Sequence, residues 1–220
     1  MAKKIKANEQ INNTKLMPIY IMSAIIPLIV YMKFIKLEGI LYKIWKGFEY
    51  SGDFFNYYKS VGIILTAVLA LVMLLLRDRR ERPDLKKQTE FIPAAIYFFF
   101  VILSTFLSEY IIVSFNGSIE RYEGMPVLVS YIFICYYTSI TVTREAEAKR
   151  VLNVLGVSCV IIGIIGAFQY FGMDIFQSEL GMKLILPAEY HQYAKDIEFL
   201  YSEKMVYGTL YNPNFAGSYA

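Results

Sequence analysis

SVGIILTAVLALVMLLL, residues 60–76, carries no ionisable side chain and nothing more polar than a hydroxyl. Its residues are apolar all round and do not alternate with polar ones, as those of a half-buried strand would. Such a stretch needs an apolar solvent, and roughly 20 helical residues cross the hydrocarbon core of a bilayer. In lipid only helices and closed barrels satisfy their own backbone. The run therefore predicts a membrane-spanning helix. Four more stretches free of Asp, Glu, Lys and Arg repeat the pattern, at Leu16–Met32, Phe91–Ser108, Gly124–Thr143 and Val151–Met173.

The expected fold is all-α, a polytopic transmembrane helical bundle. A cytoplasmic tail at 1–15 precedes about five spans, near residues 16–35, 60–76, 91–108, 124–143 and 151–173. The first is the least regular. Pro18 and Pro27 interrupt it, and Lys33 must snorkel if the helix reaches Ile35. A cleaved signal peptide is the alternative there, but no small-x-small site follows Val30, which favours a retained anchor. No charge follows Lys204, and Phe215–Ala220 reads as the start of a sixth helix near 215. The sequence is therefore expected to be a fragment, truncated at its C-terminus.

Composition agrees with the membrane reading. The chain is 56% hydrophobic and 19% charged, whereas soluble domains carry about 45–50% and about 25%. Net charge is only +3, and the basic residues cluster between the apolar runs. A nucleic-acid-binding domain would instead show a basic stripe on a soluble fold. Cys135 and Cys159 both lie inside apolar runs and read as small packing residues, without metal or redox spacing.

Basic residues also set orientation. The N-tail, the segment after the second run and the segment after the fourth hold thirteen of them, among them Lys15, Arg77, Arg144, Lys149 and Arg150. The opposite side holds nine over longer loops. The N-terminus is accordingly expected inside. On the outer side Leu37–Lys59 is rich in aromatic rings, including Tyr42, Trp45, Phe48, Tyr57 and Tyr58. That predicts an interfacial amphipathic segment, or a plain aromatic belt. The loop 174–204 is expected to hold one or two short surface helices.

Phosphate-loop, dinucleotide, zinc-protease and nucleophile-elbow motifs are absent from the sequence. The spans hold almost no ionisable groups, which argues against a proton pump or ion-coupled transporter. Asn153, Ser158 and Gln169 read as polar residues that bridge helices. Two outer segments are more pointed. Ser118–Gly124 (SIERYEG) leads into the fourth run. Its Arg121 can pair bidentately with a phosphate at headgroup level, or simply with Glu120 or Glu123. Gly208–Gly217 (GTLYNPNFAG) places a turn at Asn212-Pro213-Asn214, followed by small residues that permit close packing; a plain helix-entry turn is the other reading.

Together, in this order and between apolar helices, these segments resemble the O-antigen ligase/polymerase family of bacterial membrane proteins. The resemblance rests on Leu107-Ser108 followed by Ser118–Gly124, with Glu120, Arg121 and Gly124. It rests also on Gly208–Tyr219, with Gly208, Asn212, Pro213 and Asn214. It covers roughly Phe91–Ala220; residues before it match only in being hydrophobic. It implies an inverting, metal-independent glycosyl transfer, without cofactor, at the outer face of the bacterial cytoplasmic membrane. The implied donor is a glycan on undecaprenyl diphosphate, and the acceptor a glycan, a lipid or a protein. Cationic side chains in place of a metal would stabilise the departing diphosphate, and Arg121 is the residue nominated for this. The family's catalytic loop, with its arginines and histidine, is expected beyond Ala220. His191 is not given that role and reads as an exposed loop residue. A lipid-linked glycan flippase or exporter component, and a non-catalytic membrane scaffold, are the alternatives.

Overall fold

The computed structural model describes residues 13–44, 49–77, 89–194, 197 and 205–219. Most of the N-tail, Trp45, Phe48 and most of the basic segment after Arg77 lie outside the described residues. The fold is mostly helical. Among the described residues three helices are long and apolar enough to cross a membrane: Tyr57–Leu76 (α3), Thr89–Phe106 (a 3-10 turn leading into α4, Ile92–Phe106), and Glu145–Tyr170 (α7). Protein covers little of them, only 11% of the span that contains α4. Leu65, Leu76, Phe99, Phe106 and Val160 are exposed, as suits an apolar solvent. The fourth apolar run forms α6, Met125–Thr141, which is shorter at 17 residues.

The first run does not form one span. Its helix α1 covers Asn13–Tyr20, continues through a π-turn at Ile21–Ile25 and a 3-10 turn at Ile26–Leu28, and stops. Pro27 explains the break. A proline in a helix lacks an N–H and its ring displaces the carbonyl four residues earlier, here that of Ser23. The helix widens so that Ile26 N–H reaches the Ile21 carbonyl, and Ile29 is already extended. Two backbone carbonyls are thereby released, and both are satisfied. The Ser23 carbonyl lies 2.8 Å from the Ser158 hydroxyl and 3.1 Å from that of Tyr219, and the two hydroxyls are 2.7 Å apart. The Pro27 carbonyl accepts from Thr209 Oγ1 at 2.7 Å.

After the break the chain is a strand, not a helix to Ile35. Strand β1 (Lys33–Lys36) pairs antiparallel with β2 (Tyr50–Asp53), Lys33 opposite Asp53 and Lys36 opposite Tyr50. A short helix α2 (Ile40–Ile44) lies between them. The mostly helical architecture agrees with the expected helical bundle; the described residues of 33–59 add to it a small hairpin, with α2 between its strands, leading into α3. Asp53 makes the entry. Its Oδ2 accepts the N–H groups of Asn56 at 2.8 Å and Tyr57 at 2.7 Å, donors that the helix start would otherwise leave unsatisfied. Burial pushes the Asp53 carboxyl up, against the N–H groups and the nearby Lys59 that favour its charge.

The core lies between α1, α3 and α6. Ile26, Ile63, Ala67, Val127 and Ile134 pack near the hairpin, and Leu16, Ile19, Ala70 and Tyr137 toward the opposite end. Helix α4 and the short α5 (Ile111–Asn116) flank α6, and α7 packs on the π-turn. The loop after α7 holds α8 (Glu179–Ile185) and a 3-10 turn at Ala188–Tyr193. The sixth helix expected near 215 is α9, Pro213–Tyr219.

At the end away from the hairpin, basic residues from three segments meet. Glu147 is fully buried and accepts from Lys15 Nζ at 2.8 Å and Arg144 Nη2 at 2.7 Å. Its other oxygen takes the backbone N–H of Thr143 and Arg144, a carboxylate at the third helical position reaching back over the start of α7. Arg77 Nη2 reaches Thr141 Oγ1 at 3.3 Å, and Arg150 reaches Asn13. Glu147→Gln removes the charge from these bonds while Lys15 and Arg144 keep some access to solvent, and is expected to destabilise the protein by roughly 1–3 kcal/mol, read as a lowered thermal midpoint in detergent.

Candidate functional site

Both motif segments lie at the hairpin end. Ser118–Gly124 is a tight loop between α5 and α6, with Glu120 at φ 76° and Tyr122 at φ 55°. It closes on two glycines in backbone contact. A Cβ on Gly124 would lie 2.0 Å from the Phe115 carbonyl oxygen and 2.4 Å from Gly117 N. Gly117 itself, at φ 86°, faces the amides of Glu123 and Gly124. The glycine in the motif is thus dictated by the fold of the loop. Arg121 is exposed at its tip. Among the described residues it forms no ion pair with Glu120 or Glu123, so the simple pairing is not what the structure has. Its backbone N–H donates to the Ser118 carbonyl at 3.1 Å.

The second motif is held chiefly from α7. Gln169 is buried; its Oε1 accepts the N–H groups of Tyr207 at 3.2 Å and Gly208 at 2.8 Å, and its Nε2 approaches the Gly208 carbonyl at 3.4 Å. Tyr207 is buried and donates its hydroxyl to Asp174; burial and that bond push the phenol up, so it stays protonated. Gly208 has φ 57°, and a Cβ there would meet Ile162 Cγ2 at 2.8 Å. Asn212 Oδ1 accepts Phe215 N–H at 3.1 Å and Pro213 opens α9, the pairing of cap and first-turn proline that starts helices. Asn214 is exposed on α9. Ser158 and Gln169 therefore do bridge distant segments, whereas Asn153 is exposed.

What joins the two loops is the segment Asp53–Lys59, DFFNYYK. Asn56 Nδ2 donates to the Glu120 carbonyl, and Lys59 Nζ to the Thr209 carbonyl. The buried Phe55 ring packs edge-on against Tyr207 and Tyr211, at 5.7 and 6.2 Å between centroids. Tyr57 stands at 90° to Tyr122, 5.3 Å away, with Lys33 Nζ 5.4 Å from its ring centroid. Phe55 and Tyr57 thus pack on the motif loops, whereas Tyr42 and Tyr50 are exposed. The sequence offered one signal for the segment, an aspartate shortly before an apolar helix; its long-range partners had none.

Beneath the first loop, between α3, α5 and α6, lies a cleft of about 360 Å³ lined by Ile35, Val61, Ile64, Ile112, Val127 and Tyr122 among others. None of the described side chains that line it is charged. Tyr122 is only 8% exposed, and its buried hydroxyl has no hydrogen-bond partner among the described residues; burial pushes the phenol up, so it too stays protonated. His191 is half-buried, with Nε2 3.1 Å from the Leu186 carbonyl, which corrects the expectation of an exposed residue. Among the described residues no three His, Cys, Asp or Glu side chains converge where a metal could sit.

No family model, curated protein or solved structure matches the chain.

The steric account of the first loop is open to a direct check. Gly124→Ala forces the loop off the Phe115 carbonyl, and overpacking of this kind costs roughly 1–3 kcal/mol. The expected result is a lowered thermal midpoint in detergent together with faster amide exchange over 116–124, while the Gln169 bonds to Tyr207 and Gly208 are kept.

Proposed function

We propose that these residues are part of an O-antigen ligase-like membrane glycosyltransferase. It would transfer or polymerise a glycan carried on undecaprenyl diphosphate, at the outer face of the bacterial cytoplasmic membrane, to a glycan, lipid or protein acceptor. The observation that carries the reading is the gathering of the two motif loops, far apart in sequence, at one end of a helical bundle by the segment 53–59. Exposed on the first of these loops, which roofs a cleft with no charged side chain among its described lining residues, stands Arg121, without an ion-pair partner among the described residues. A diphosphate at headgroup level would find in Arg121 a bidentate donor. Charge developing on the leaving group would be stabilised there without a metal. No general base is assigned among these residues.

Arg121→Ala in the full-length protein is expected to lower glycan transfer from an undecaprenyl-diphosphate-linked donor about 100-fold, with Arg121→Lys intermediate because it keeps the charge and loses the fork. Unchanged transfer in Arg121→Ala would remove the assignment, and no transfer by the wild-type protein would remove the reaction.

The reading places the hairpin end outside and the Lys15–Arg77–Arg144 end inside, following the bias of basic residues. A membrane-impermeant maleimide added to intact cells is expected to label Arg121→Cys and to reach Lys149→Cys only after permeabilisation. The reverse pattern would invert the topology.

A further inference from the structure

Asn56 and Lys59 sit three residues apart at the start of α3, on neighbouring positions of one helical turn. One holds the Glu120 carbonyl and the other the Thr209 carbonyl. Each acceptor belongs to a loop with non-glycine residues at positive φ, Glu120 and Tyr122 in the first and Tyr211 in the second. Such backbone persists only where its surroundings over-determine it. The anchors are correspondingly dense. Lys59 Nζ also lies 5.9 Å from the centroid of the Phe55 ring, which itself packs on Tyr207 and Tyr211. Asp53 fixes the turn from which both side chains project.

We propose that Asn56 and Lys59 are positioning residues that couple the two loops. The first turn of α3 sets the placement of Ser118–Gly124 and of Gly208–Asn212 jointly, so that releasing either anchor shifts both. The catalytic meaning of this coupling, keeping Arg121 in register with the second motif, rests on the glycosyltransferase reading; the coupling itself does not.

The test uses the full-length protein with Ser118→Cys or Leu210→Cys as reporter, and follows the rate of maleimide labelling at each site by mass spectrometry. Lys59→Met is expected to raise labelling several-fold at 210 and also at 118, and Asn56→Ala to do the same at both. Lys59→Arg, which can still donate to the Thr209 carbonyl, is expected to return both sites toward wild type. Changes confined to the loop whose anchor was removed, or no change at either site, would overturn the coupling. Should Lys59→Met fail to fold, Asn56→Ala read at Leu210→Cys decides alone. Where transfer is measurable, Lys59→Met is expected to lower kcat several-fold with little change in KM for the donor. Cross-loop labelling in a protein that transfers no glycan would leave the coupling standing and dismiss the enzyme reading.

Discussion

The proline at residue 27 ends the first helix and leaves backbone carbonyls that no turn of that helix can satisfy. Much of the rest of the architecture follows from how those carbonyls are satisfied. The helix cannot continue, so its last turns widen and tighten in succession and the chain leaves as a strand. The carbonyls of Ser23 and Pro27 then need donors from outside the helix. The donors come from far along the chain: Ser158 in α7, Tyr219 in α9 and Thr209 in the second motif. One local covalent constraint thus recruits the C-terminal segment onto the N-terminal one.

The same economy appears at both ends of the bundle. At the arginine end one buried carboxylate gathers Lys15 and Arg144 and covers the start of α7. At the hairpin end the buried Asp53 covers the start of α3, and the side chains beyond it reach the motif loops. In each case the side chain that completes a helix terminus stands beside the contacts between distant segments, so local capping and tertiary assembly are served together.

Much of this was legible from charge alone. The runs at 60–76, 91–108 and 151–173 became long helices because nothing in them competes with a backbone that must bond to itself in lipid. The boundaries moved outward where capping extends a helix beyond its apolar stretch, as Glu147 does for α7. The first run misled because a charge-free stretch says nothing about where a proline's lost bond will be repaired. Glu120, Gly124, Gly208 and Asn212 were singled out as motif letters; the structure gives backbone reasons for them, a positive φ, a contact that excludes a Cβ, a cap. Asn56 and Lys59 were not singled out. Their partners lie 64 and 150 residues away, and separation of that kind leaves no periodicity to read.

The scant protein cover on α4 has a mechanical implication. A span with little protein around it is free to tilt when the hydrocarbon thickness changes, whereas a span packed into a core is held by its neighbours. Helix α4 is of the first kind and α3 of the second. The chain from α4 through α5 to Arg121 is therefore strung between an element that responds to the bilayer and one that does not. A change in hydrocarbon thickness that tilts α4 would reach that stretch through α5.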